Sequence, residues 1–219
     1  MMTSTIDKTE KVEEPLLFQE YKTTPLRWAI LFSVATIYLT GGLIIVAFAP
    51  VAIQIAQAYN LSSTMPVNMC ALAFAFCSPP ADILAVYLYG KYRVDTVMRL
   101  SMVVSFIGAM FRFLTIYNGE FWPILAGTFI MASVASLFLN SQILIANRWF
   151  SDKERAFCLS VLNTATPLGQ ICSFALTGVV FANIDSSLTP LEIDLVTKDS
   201  MRKLLLLQNI PYIFFFITF

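Results

Sequence analysis

Asp82 and Arg112 stand inside stretches of this chain that are otherwise uncharged. An ionised group in such a place is costly and normally faces protein or water. Asp82 suits proton or cation coupling, or a gating contact with a basic residue. It suits equally a structural bond to a neighbouring helix or to Arg93. Arg112 lies about one turn from the end of its run, where its long stem can snorkel to an interface. Amides and hydroxyls stand in later apolar runs: Asn140 and Gln142, then Asn163, Thr166 and Gln170. Asn140, Asn163 and Gln170 are the candidates for contact with a small solute, and each could instead bond a neighbouring helix.

Much other chemistry is excluded. The chain has no histidine, which removes Ser-His-Asp and Cys-His nucleophile systems, histidine zinc sites and histidine pH switches. One acid without a paired acid forms no acid–base constellation, so the chain does not read as an enzyme. Cys70, Cys77, Cys158 and Cys172 fall in apolar runs without close metal-type spacing. They read as packing residues, and neither a disulfide framework, a metal site nor a cofactor is implied. Lys+Arg 14 balances Asp+Glu 14, leaving no basic excess for a nucleic-acid partner.

The elements that position these residues follow from the charge gaps. The 219 residues are 58% hydrophobic and 13% charged, with mean hydropathy +0.73. A soluble domain carries about 25% charged residues, so the expected fold class is all-α, a polytopic bundle with a lipid bilayer as its main partner. No Asp, Glu, Lys or Arg occurs from Trp28 to Ala81, and Asn60-Leu61-Ser62-Ser63-Thr64-Met65-Pro66 marks a turn within that run. Two crossings need roughly 40 residues plus a turn. The spacing predicts six transmembrane helices, at about 28–58, 67–89, 96–117, 121–147, 156–181 and 204–219. The first is expected to bend near Gly41-Gly42 and Pro50. The sixth run is short for a ~30 Å core, and the reading is a chain cut inside its sixth helix. Residues 1–26 are polar, with Pro15 and Pro25, and read as a disordered cytosolic tail. Residues 27–219 form the membrane domain.

Basic residues set the orientation. Lys8, Lys11, Lys22 and Arg27 precede the first span, Lys91, Arg93 and Arg99 follow the second, and Arg148, Lys153 and Arg155 follow the fourth. The opposite loops hold Lys198, Arg202 and Lys203. The N-terminus is therefore expected in the cytosol, in the plasma membrane or an internal one, with Asn60 in an outer loop as a glycosylation candidate. Asp95, just before the third span, suits a helix N-cap. Gly127 in the fourth span and Gly169 and Ser173 in the fifth suit close helix packing, or the lining of an aqueous cavity.

Two loops carry a resemblance. Tyr87-Leu88-Tyr89-Gly90-Lys91-Tyr92-Arg93 resembles the signature Gly-x-x-x-Asp-Arg-x-Gly-Arg-Lys of the major facilitator superfamily. Gly90 and Lys91 match its second glycine and the following basic position, whereas Ile83 and Tyr87 replace its first glycine and its acid. Trp149-Phe150-Ser151-Asp152-Lys153-Glu154-Arg155-Ala156 is similar to the inner loop between the fourth and fifth helices of many facilitators. Narrower features are similar to the feline leukaemia virus subgroup C receptor-related family of solute carriers. These are Arg27-Trp28, Ala58-Tyr59-Asn60, Gly108-Ala109-Met110-Phe111-Arg112 and Pro167-Leu168-Gly169.

The resemblance implies the N-terminal six-helix half of a twelve-helix carrier that moves a small solute by alternating access. A second six-helix half is its implied partner, and choline, ethanolamine, haem or other small metabolites are its implied cargo. It also implies gating roles for Gly90, Lys91, Arg93, Glu154 and Arg155, and coupling or gating for Asp82. A quaternary ammonium needs an aromatic cage, and the first-helix position that is aromatic in choline-carrying members falls near Ile45, with Phe48 one turn on. The competing reading is a non-transporting membrane scaffold or receptor derived from a half-facilitator.

Overall fold

A computed structural model describes residues 25–182 and 190–218. The tail expected over 1–26 lies, but for its last two residues, outside that range. The described chain forms α1 (Leu26–Ile45), a 3-10 turn (Ala49–Val51), α2 (Ala52–Ala58), α3 (Met65–Lys91), α4 (Val94–Asn118), α5 (Trp122–Trp149), α6 (Asp152–Val180) and α7 (Pro190–Thr218). Helices dominate because, in hydrocarbon, every backbone N–H and C=O must be bonded within its own segment.

The long helices alternate in direction. Apolar side chains from the start of α1, the start of α4, the end of α5 and the start of α6 form one core, including Leu31, Met98, Ile145, Phe150 and Cys158. This is called the proximal end. Phe48, Ile55, Val67, Ile124, Phe181 and Leu204 form a second core at the distal end. Between them lies a thinner layer of Ile44, Ala109 and Met131. Laterally, α1 runs along α6, α5 packs on both α3 and α4, and α7 lies against α4. Contact between α1 and α5 is sparse.

Glycines set the two tightest crossings. A Cβ at Gly42 would lie 2.1 Å from the Thr166 carbonyl oxygen, and one at Gly169 would lie 2.0 Å from that of Leu39. A Cβ at Gly108 would lie 2.7 Å from the Gly127 carbonyl oxygen. These approaches put backbone against backbone, which only a missing side chain permits. The helix is not interrupted at Gly41-Gly42. Gly42 serves the α1–α6 crossing, and α1 stays helical to Ile45. The first span breaks instead over 46–51, where Pro50 lacks an N–H and the Val46 carbonyl is taken by the Ala49 N–H at 3.2 Å.

Among the described residues, four helical segments are long and apolar enough to cross a membrane: Leu26–Ala58, Met65–Lys91, Val94–Asn118 and Trp122–Trp149. The helix α6 is as long, at 29 residues, but Asn163, Thr164, Thr166 and Gln170 dilute its apolar content. The sixth expected span, 204–219, falls in the second half of α7, whose helix begins at Pro190, and its last residue lies outside the described residues.

Candidate functional site

A cavity of about 80 Å³ opens where α1 and α5 diverge. Tyr38, Gly41 and Ile45 line it from α1, Phe74 from α3, Phe138 from α5 and Thr166 from α6. None of its lining residues is charged. Ile45 is in the wall, and the aromatics that face the cavity come from other positions. The Tyr38 hydroxyl donates to the Phe138 carbonyl and lies 3.1 Å from Ser141 Oγ, a polar tie across the sparse α1–α5 contact. Tyr89 makes the matching tie from α3, donating to the Leu137 carbonyl at 2.6 Å.

Outside the cavity lining, α3 carries the acid and α5 its amide partner. Asn140 Nδ2 donates to Asp82 Oδ1 at 2.8 Å and to the Ser136 carbonyl oxygen at 2.9 Å. Both Asp82 and Asn140 are exposed. Pro79 and Pro80, inside α3, leave the Ala75 and Phe76 carbonyls without their usual N–H donors. Ala75 lies two turns above Asp82 on the same stripe, so a freed carbonyl, a carboxylate and an amide share one side of the bundle. The exposed face of α4 is different in kind: Leu100, Val103, Ile107 and Leu114 are all apolar. Such a face suits lipid, whereas the Asp82 face needs water or protein.

On α6, Asn163 is exposed and Gln170 half-buried. Neither bonds Asn140, and the cavity separates the two sides. The face of α6 turned to α1 uses Gly169, Ser173 and Thr177 instead. Ser173 Oγ donates to the Leu43 carbonyl oxygen at 2.6 Å, and Thr177 Oγ1 to that of Ala47 at 3.0 Å. The structure thus brings Asn140 to Asp82, and leaves Asn163 and Gln170 as separate groups on the neighbouring helix.

The proximal end is fastened by ion pairs. Glu154 accepts from Arg27 Nη1 at 2.7 Å and from Ser151 Oγ at 2.9 Å, tying the start of α6 to the start of α1. Arg155 pairs with Asp152 at 2.7 Å, one turn away on its own helix. Asp95 lies inside the first turn of α4 rather than at its cap, which is Arg93. It pairs with Arg93 at 3.3 Å and with Arg148 at 3.1 Å, so it joins the α3–α4 turn to the end of α5. Arg93 is therefore not the partner of Asp82. Lys91 rests its ammonium over the Tyr87 and Tyr92 rings, at 5.8 and 5.6 Å. At Gly90 an added Cβ would meet nothing within 4 Å, so packing does not require a glycine there. Asn60 is exposed at the distal turn after α2, with φ 49.

Arg112 departs from its expected role. It is 0% exposed and does not snorkel. Its Nη2 donates to Gln208 Oε1 on α7 at 2.9 Å, and its guanidinium lies 5.2 Å from the centre of the Phe48 ring. Sequence reasoning missed this residue's inward turn and the pairing of Asp95 with Arg148. Both partners are remote in the chain, and no local pattern announces them.

The architecture is an all-helical bundle with polar groups on either side of an uncharged cavity. A family model described as Major Facilitator Superfamily matches residues 16–191. That match covers most of the chain, including all of α1 to α6. This protein is an integral membrane protein of the transporter type, and its chain belongs to the major facilitator superfamily.

Proposed function

We propose that the chain forms one six-span half of a solute carrier, with the cavity between α1 and α5 as its share of the solute path. The observation that carries this reading is the exposed Asp82–Asn140 pair within α3 and α5. An acid at the centre of a membrane helix costs ~2.5–3.5 kcal/mol on insertion scales, so this face is wet or covered by protein. A second helical unit of the same architecture fits as the cover. It would place solute between two halves near the midplane, where alternating access operates. Asn140, Asn163 and Gln170 are the solute contacts in this reading, and Asp82 couples or gates.

The proximal end is the cytosolic one. Arg27, Lys91, Arg93, Arg99, Arg148, Lys153 and Arg155 all belong to it, against Lys198, Arg202 and Lys203 at the other end. The ion pairs of Glu154 and Asp95 then sit where a cytosolic gate would close, with Gly90, Lys91, Arg93 and Arg155 around them. Asn60 falls on the outer side, where an oligosaccharide can be added. The narrower similarity to the feline leukaemia virus subgroup C receptor-related carriers points to choline, ethanolamine, haem or another small metabolite as cargo.

The test is a panel of such metabolites added to the purified protein in detergent, read by its unfolding temperature. At least one member should raise that temperature, and Asp82→Asn or Asn140→Ala should abolish the rise while the unliganded protein stays folded. A panel that leaves the temperature unchanged, together with no uptake above background in cells expressing the chain with its partner half, favours the non-transporting scaffold or receptor.

A further inference from the structure

Among the described residues Arg112 is the largest fully buried side chain, and it touches three separate parts of the fold. Its stem crosses α5 at Gly127, where an added Cβ would lie 2.7 Å from Arg112 Cγ. Its guanidinium covers the ring of Phe48, inside the break between α1 and α2. Its Nη2 bonds Gln208 on α7. The break has a second anchor on its other side. Thr177 of α6 donates to the Ala47 carbonyl, which the break leaves without a helical donor, since the Val51 N–H turns to the Phe48 carbonyl oxygen at 3.3 Å. The last turn before the break carries Ile44 and Ile45, which line the cavity.

We propose that Arg112 is a positioning residue for the cavity. By holding Phe48 against α4 and α7 it fixes the break in the first span, and so keeps the distal wall at Ile44–Ile45 closed. A buried guanidinium over an aromatic face is a strong tie in a dry setting, and a broken helix supplies the one place where the first span can pivot without unravelling its longer part. The α1 segment stays fastened to α6 through Gly42, Gly169 and Ser173. Those ties end at Leu43, so loss of the Arg112–Phe48 contact loosens the chain beyond it, Ile44 and Ile45 included, with Thr177 as the remaining anchor at Ala47. The inference rests on the carrier reading only for what the cavity is used for, because its test reads the geometry of the wall and needs no solute.

The experiment uses the full chain with Cys70, Cys77, Cys158 and Cys172 replaced by Ser and one reporter, Ile45→Cys, labelled in proteoliposomes by a membrane-impermeant maleimide. Arg112→Gln and Phe48→Leu should each speed reporter labelling by about thirtyfold, the scale of one desolvated cation–π contact. Arg112→Lys, which keeps a cation over the ring, should restore a rate near that of the parent. A second reporter, Leu31→Cys in the proximal core, should not change. Where Arg112→Gln fails to fold, Phe48→Leu carries the test. Reporter rates unchanged in the folded variants, a rise in Arg112→Gln without one in Phe48→Leu, or an equal rise at Leu31→Cys would each overturn the proposal.

Discussion

Replacing Gly169 by Ala tests the α1–α6 crossing on which the cavity depends. The added Cβ would lie 2.0 Å from the Leu39 carbonyl oxygen and 2.9 Å from its carbon. Both are backbone atoms, so no side chain can turn aside, and the helices must part by at least about 1 Å. Overpacking of this kind costs typically ~1–3 kcal/mol. Parting the helices also stretches the bonds from Ser173 to Leu43 and from Thr177 to Ala47, each worth ~0.6 kcal/mol on average in a membrane. The expected loss is about 2–4 kcal/mol, or roughly 5–15 °C in unfolding temperature for a chain of this size. The assay is the fraction of detergent-solubilised protein that stays monodisperse on size exclusion after heating. Gly178→Ala is the control on the same helix, because its Cβ meets nothing within 4 Å, and it should be neutral or slightly stabilising. If Gly169→Ala matches the parent while Gly178→Ala does not, the crossing is misplaced and the argument from close backbone approach fails.

Tyr38→Phe removes the hydroxyl that ties α1 to α5 through Phe138 and Ser141. It should cost about 0.5–1.5 kcal/mol in detergent unfolding, and an unchanged unfolding temperature would remove the tie. Glu154→Gln should lower stability by about 1 kcal/mol or less, because Arg27 and Glu154 remain 15% and 32% exposed. The exchanged pair Arg27→Glu with Glu154→Arg should recover most of that loss, and no recovery would show that the pairing is incidental. If the chain is one half of a carrier, as proposed, Asp82→Asn expressed with a second six-helix half should change the transport rate or its pH dependence more than delivery to the surface. Identical kinetics at several pH values would take Asp82 out of the mechanism.

The helices were legible because charges are absent where lipid must be met. The interruptions at Asn60–Pro66, Lys91–Arg93 and Ser151–Arg155 fall at helix ends in the structure. The packing partners were less legible. Helices apolar on every side carry little periodic signal about which face meets which neighbour, so the glycines were the best guide, and Gly169 does mark a crossing. A glycine pair reads as a bend, but a tight crossing needs the same residue type, and Gly42 serves one. Arg112 misled because snorkelling depends on which way the stem points. That direction is decided by Gly127 and Gln208, the second of them 96 positions away. Asp82 and Asn140 were each visible, but their bond joins two helices 58 residues apart and waited on the fold.

The most direct measurement concerns what the Asp82 face, and the Asn163 side across the cavity from it, meet in a membrane. Single cysteines replacing Asn140 and Asn163 can be compared with one replacing Ile107, on the apolar exposed face of α4. Each is labelled in intact membranes with an impermeant thiol reagent, with the partner half present. Cysteines at 140 and 163 should react readily and be protected by the solute, while the one at 107 stays inert. Equal inertness at all three positions would mean that both sides lie in lipid, and that no solute path runs along them.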